Sequence, residues 1–277
     1  MIRTAITKRL KRWDRSFPLS KRQQFVTITA ILGCGFLFVQ VASVEWRYPL
    51  TATLTVATVV LTAFGLREDL RGIEWFMLLS LPTLYTMSVS LFYFLLPVRW
   101  LTRIPIALLY TVGMYALLLT ENIFNVAAGR TIALLRAAHS VGFLVTLVTY
   151  FLSISVLFTL RFPIGFHMFL LSIVSFILII QALWSVELSE KPPRRVWQIS
   201  IALAAVLTEL SWIFSFWPVQ PTLKALFLTT CLYSSVGMAQ QYVLEKLYRK
   251  TTIEFFSLAM IVLCIILLAS HWRGYVY

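Results

Sequence analysis

Glu121, Asn122, Asn125, Arg130, Arg136 and His139 all lie in one stretch, TENIFNVAAGRTIALLRAAH at 120–139, between two long apolar runs. An acid, two amides, two guanidinium groups and an imidazole beside a membrane offer two kinds of chemistry. Arg130, Arg136 and His139, with the free N–H groups of a helix end, suit an anion or a lipid head group reached from the cytoplasmic side. The same residues also suit a hydrogen-bonded corner that caps two helices and orients the bundle, with Glu121 pairing to Arg130 or Arg136 across it. One unbroken helix through the stretch would exceed about fifty residues and outrun the bilayer. The chain is therefore expected to break at Gly129, as a tight hairpin or a re-entrant turn.

Glu209 is the other acid of interest, because an ionisable side chain within a span is costly and marks a functional site by default. Its span is expected at 196–217, which puts it roughly 4 Å outward of the middle at 1.5 Å rise per residue. Arg136 and His139 sit roughly 14–18 Å inward of the middle of theirs. Depth therefore excludes a Glu209–Arg136–His139 triad. His167 and Lys224, near the outer ends of the neighbouring spans, are the expected partners of Glu209. The acid then serves as a protonated or water-bonded structural group, or as a proton-coupling or substrate-binding one.

No metal or cofactor is expected. The chain has no Gly-x-Ser-x-Gly, no His-Glu-x-x-His and no Gly-rich phosphate loop. The run from Glu121 to Asn125 lacks the aspartates that would hold Mg²⁺, and His139, His167 and His271 fall at different depths. Cys34, Cys231 and Cys264 are odd in number and lie inside apolar runs, so they read as small core residues.

What must position these groups is a set of apolar helices. Of 277 residues, 60% are hydrophobic and only 13% charged, where soluble domains carry about 25% charged. In hydrocarbon each backbone polar group needs a partner within its own segment, so apolar runs of about 20 residues must be helices. The short alternating segments of a membrane barrel are not seen. Nine spans are expected, at 25–44, 48–66, 73–96, 103–120, 135–160, 164–186, 196–217, 221–243 and 252–271. The fold class is all-α, a polytopic integral membrane helix bundle with its N-terminus inside and its C-terminus outside. Orientation rests on charge: 18 of the 24 Lys and Arg fall in inner segments and six in outer ones. Placed beside apolar runs, the net charge of +13 speaks for membrane orientation and against nucleic acid.

Local signals agree. Nine of ten prolines fall at span boundaries, leaving Pro82 to kink the third span. Eight tryptophans, Trp184 among them, fall at interfaces, with Trp212 the exception. Ser20 with Gln23 and Thr251 with Glu254 form capping boxes that open the first and last spans. Several spans carry a stripe of small or hydroxyl residues, such as Thr51, Thr55, Thr58, Thr62 and Gly65, or Arg136, His139, Gly142, Thr146, Thr149 and Ser153. Such stripes suit close helix packing, or the lining of a hydrated pathway.

Residues 1–24 form a basic amphipathic arm, with Ile2, Ile6, Leu10, Trp13 and Phe17 on one face. The arm suits anionic lipid head groups at the cytoplasmic surface, or a docked protein partner. Residues 25–271 form a single transmembrane domain and 272–277 a short outer tail. The expected location is the cell membrane, plasma or bacterial inner, with many passes. The leading functional expectation is a permease-like transporter of a small molecule or a lipid-related substrate. A non-catalytic scaffold, sensor or assembly subunit is the alternative, and an intramembrane enzyme ranks third.

Overall fold

A computed structural model describes residues 20–66, 74–97, 99–127, 134–160, 162–188 and 192–270. The described residues form nine long helices and no strand. In chain order these are α1 (Lys21–Val41), α2 (Arg47–Leu66), α3 (Glu74–Tyr93), α4 (Trp100–Ala127), α5 (Leu135–Thr159), α6 (Ile164–Glu187), α7 (Arg194–Ser215), α8 (Pro221–Val243) and α9 (Arg249–Ala269). Eight are long and apolar enough to cross a membrane. The ninth, α8, is 23 residues long but carries Lys224, three threonines, two serines and two glutamines, which lower its apolar content. The protein is a multi-pass helical membrane bundle. The N-terminal arm, except Ser20 and α1's first residues, and the outer tail lie outside the described residues.

Helix ends follow their chemistry in part. The Ser20–Gln23 capping box is formed: Ser20 Oγ accepts from the Gln23 N–H and Gln23 Oε1 accepts from the Ser20 N–H. The expected Thr251–Glu254 box is not. α9 opens three residues earlier, after Tyr248, with no side-chain cap. Pro82 stays within α3, and Pro105 joins it as an interior proline because α4 begins at Trp100 rather than near 103.

α5 is the hub, packing on α3, α4, α6 and α8. α1 packs on α2 and α4, and α7 on α6 and α8. α9 packs chiefly on α8 and, among the described residues, buries only Ile266. The small and hydroxyl stripes are the packing seams: Thr58 and Thr62 on α2, Thr86 and Ser90 on α3, Thr146 and Thr149 on α5, and Ser200 and Ser211 on α7 are all buried. Where hydroxyls meet, they bond across helices. Thr58 reaches Thr86 at 3.1 Å, which reaches the Tyr110 hydroxyl of α4 at 3.0 Å. Ser88 of α3 meets Ser153 of α5 at 2.6 Å.

Two expectations about the interior are corrected. Trp184 is core rather than interfacial, at 1% exposure. Cys34 and Cys264 are exposed and Cys231 half-buried, so none is a core residue. On a membrane helix an apolar thiol facing lipid costs nothing, so apolarity does not imply burial.

Candidate functional site

Two places in the bundle offer chemistry: a buried polar cluster where α2, α4, α6 and α8 end, and an apolar cleft near the start of α2.

The cluster begins on α4. The helix continues seven residues past its expected end at 120 and carries Glu121, Asn122 and Asn125 on its last two turns. Glu121 and Asn125 are four apart and so share a face. That face is buried: Glu121 has no exposed surface and Asn125 is 6% exposed. Gln181 of α6 donates from Nε2 to Glu121 Oε1 at 3.2 Å. Asn125 Nδ2 donates to the carbonyl of Leu66, the last residue of α2, at 3.2 Å. The neighbouring Gly65 carbonyl accepts from Lys21 Nζ at 3.3 Å. The final carbonyls of α2 have no helical donor; a cation from α1 and an amide from α4 supply them.

Gly142 lets α5 close on this turn. A Cβ there would lie 3.2 Å from Thr120 Cγ2 and 3.3 Å from the Phe124 ring. One turn earlier His139 rests against Phe124, ring centres 5.5 Å apart. His139 Nε2 meets the Ser185 carbonyl of α6 at 2.7 Å. A carbonyl only accepts, so Nε2 carries the hydrogen. From α8, Gln240 Nε2 donates to the Ala182 carbonyl at 2.9 Å.

Three atoms of the cluster have no hydrogen-bond partner among the described residues: Glu121 Oε2, Gln181 Oε1 and Asn125 Oδ1. All three are oxygens on side chains that bond through their other polar atom. An orphaned buried acceptor costs about 1–3 kcal/mol, so three in one cluster are a notable expense of stability.

The expected corner is therefore only partly assembled. Glu121, Asn125 and His139 converge, through Phe124 and α6. Asn122 is half-buried on the adjoining face and makes no hydrogen bond among the described residues. Arg136 is exposed in the first turn of α5, and Arg130 with Gly129 lies outside the described residues. The expected pairing of Glu121 with Arg136 is not formed. Glu121 sits six residues, roughly 9 Å of helix rise, before the end of α4, and its donor is Gln181.

Glu209 also departs from expectation. It is exposed on α7 and makes no hydrogen bond or ion pair among the described residues. α7 turns Ser200, Ala204, Leu207, Ser211 and Phe214 inward. Glu209, two residues from both Leu207 and Ser211, is about 200° from each around the helix. His167 and Lys224 do meet each other, around Phe158: the His167 ring lies 4.8 Å and Lys224 Nζ 5.5 Å from its centre. His167 Nε2 also approaches Ser211 Oγ at 3.5 Å.

Sequence reasoning missed Gln181, Gln240 and Ser185. For Gln181 a signal existed: it is a lone amide in the apolar run FILIIQALW, where any polar side chain needs a partner.

The cleft lies between α2, α3, α5 and α6 and encloses about 550 Å³. Val56, Leu84, Met87, Leu157 and Val174 are among the apolar residues of its wall. Its threonine and serine hydroxyls are already bonded: Thr51 to the Arg47 carbonyl, Thr55 to the Thr51 carbonyl, and Ser88 with Ser153. Tyr48 stands at the rim, 6.2 Å edge-on from Phe94, and the Arg47 guanidinium lies 5.4 Å from the same ring. Nearby, Arg103 Nε donates to the Tyr93 hydroxyl at 3.2 Å and its guanidinium lies 5.0 Å from the Trp100 ring. Among the described residues no three His, Cys, Asp or Glu side chains are grouped to hold a metal.

The chain belongs to the family described as a protein of unknown function, DUF5656, whose model matches residues 44–269. The match takes in α2 to α9, and with them Glu121, Asn125, Gln181 and the cleft. No curated protein and no solved structure matches the chain.

Proposed function

We propose that this family member is a permease-like protein of the plasma, or bacterial inner, membrane whose substrate is lipid-related: an anionic amphiphile with its chain in the cleft and its head at Arg47. The cleft carries the reading. Its volume of about 550 Å³ is within the range of ligand pockets, roughly 300–1,000 Å³. Because its threonine and serine hydroxyls already bond within the protein, a polar ligand would lose water there and gain few partners, whereas an acyl chain loses nothing. The Arg47 charge beside the aromatic rim suits a phosphate or carboxylate head at the interface. Exposed Tyr48, Val56 and Met87 leave the cleft open at the bundle surface, which supports entry from the bilayer. With the N-terminus inside, as the 18-to-six division of Lys and Arg supports, that entry belongs to the outer leaflet.

The test is lipid retention and movement. Protein purified in mild detergent should carry an anionic lipid detectable by native mass spectrometry. Ala52→Trp, which fills the cleft, should remove it, and Arg47→Gln should shift the retained pool toward neutral lipids. Reconstituted protein should move a fluorescent anionic phospholipid between leaflets. Unchanged retention in Ala52→Trp would overturn the site. Retention without movement would leave a lipid-bound scaffold, a reading that the loosely attached α9 favours, since its open face suits a partner helix.

A further inference from the structure

We propose that Glu121, Gln181 and Asn125 form a binding site for a small monovalent cation, H⁺ or Na⁺, buried within the bundle and separate from the lipid cleft. The three orphan atoms are Glu121 Oε2, Gln181 Oε1 and Asn125 Oδ1, all acceptors, on side chains 0%, 2% and 6% exposed. Their orientation is set by the bonds that the other ends make. Gln181 uses its NH₂ on Glu121 Oε1, and Asn125 uses its NH₂ on the Leu66 carbonyl. Both amides therefore keep their oxygens free. Oxygens without donors, one of them on a carboxyl group, are complementary to a cation, H⁺ included.

A proton satisfies two of the three. Placed on Glu121 Oε2 and shared with Gln181 Oε1, it closes a reciprocal acid–amide pair in which each group donates once and accepts once. Na⁺ would draw on all three, completing its shell with water or backbone carbonyls. The shared chemistry is an oxygen site that loses its charge imbalance on filling.

Of the other charged groups described at this end of the bundle, Arg194 and Arg195 of α7 are exposed, as are Glu245, Lys246, Arg249 and Lys250 between the end of α8 and the first turn of α9. Lys21 of α1 is on the Gly65 carbonyl, and Arg22 donates to the Tyr115 hydroxyl at 3.4 Å. His139 of α5 is on the Ser185 carbonyl. Arg136 of α5 and Glu187 of α6 are exposed. The described side chains of α2 and α3 add no charged group here.

The full-length protein in nanodiscs tests this by thermal unfolding. One arm exchanges NaCl for choline chloride at constant ionic strength; the other varies pH without Na⁺. We expect the native protein to respond in at least one arm, and Glu121→Gln, which retains an amide partner for Gln181, to lose that response. A Na⁺ response identifies Na⁺ as the occupant, a pH response the proton, and both together competition for one site. Gln181→Met and Asn125→Leu keep the volume and remove one oxygen each. At least one should shift the midpoint of the response about tenfold in cation concentration, the change expected from one lost oxygen partner. Should Glu121→Gln not fold, these two variants decide alone. A native protein indifferent to both arms, or variants that respond as the native does, would overturn the proposal. Since neither arm involves lipid, failure here leaves the cleft reading standing, and the reverse also holds.

Discussion

Replacing Gln181 and Glu121 singly and together tests whether the α4–α6 bond is a coupled pair. Gln181→Leu removes the donor to Glu121 Oε1 and leaves both carboxyl oxygens without partners, since Oε2 is already unpartnered. Interhelical hydrogen bonds in membranes are worth about 0.6 kcal/mol on average and up to about 1.7, and an abandoned buried polar group costs about 1–3 kcal/mol. The relief of Gln181 Oε1 offsets part of this, so the expected loss is about 1–3 kcal/mol. Glu121→Leu strands the Gln181 amide in the same way and should lose a similar amount. The double variant removes both partners at once and places leucine against leucine between α4 and α6, a change that is near neutral when shapes match. The coupling energy should therefore be at least about 1.5 kcal/mol and favour the double variant. Reversible unfolding in mixed detergent–SDS micelles measures all four stabilities. If the double variant loses the sum of the two single losses to within about 0.5 kcal/mol, the two side chains are independent and the reasoning about this pair is wrong.

Three further outcomes follow from the packing. Gly237→Ala should loosen α9 by about 1–3 kcal/mol, because the added Cβ would stand 2.7 Å from the Phe255 ring; limited proteolysis of the 244–248 segment reads it. Glu209→Leu should leave thermal stability within about 0.5 kcal/mol of native or raise it, as an exposed carboxylate on α7 gives way to a lipid-compatible side chain; a loss above about 2 kcal/mol would mean that Glu209 has an interior role. Thr86→Val should cost about 1–2 kcal/mol by removing the middle of the Thr58–Thr86–Tyr110 chain, whereas Thr53→Val, on an exposed position that bonds only its own helix, should be silent in the same melt.

Much of the fold was legible because the bilayer imposes it: helices must be long, apolar and internally bonded, and the nine expected spans correspond one to one with α1–α9. Their ends were less legible where tertiary partners override local polarity. Glu121 looked like the start of a surface turn because acids do not continue a span unaided; α4 continues through it because Gln181, sixty residues away, supplies a donor. No local pattern records that meeting. Glu209 teaches the opposite lesson. Depth along the membrane says nothing of azimuth, and α7 turns a stripe through Ser200, Ala204, Leu207 and Ser211 inward. At about 100° per residue, that stripe already turns Glu209 away from the interior. The cleft was not legible at all, because its walls are mostly ordinary apolar residues that four helices bring together only in the folded bundle.

The attachment of α9 has a mechanical consequence. Being the most apolar of the spans yet buried only at Ile266 and packed chiefly on α8, it is held by lipid more than by protein. Under a load applied at residue 270, extraction would begin there: α9 would peel away as a separate event at low force, with the Trp217–Ser270 hydrogen bond of 2.7 Å as its clasp. The remaining eight helices, cross-linked through α5, would yield later and together.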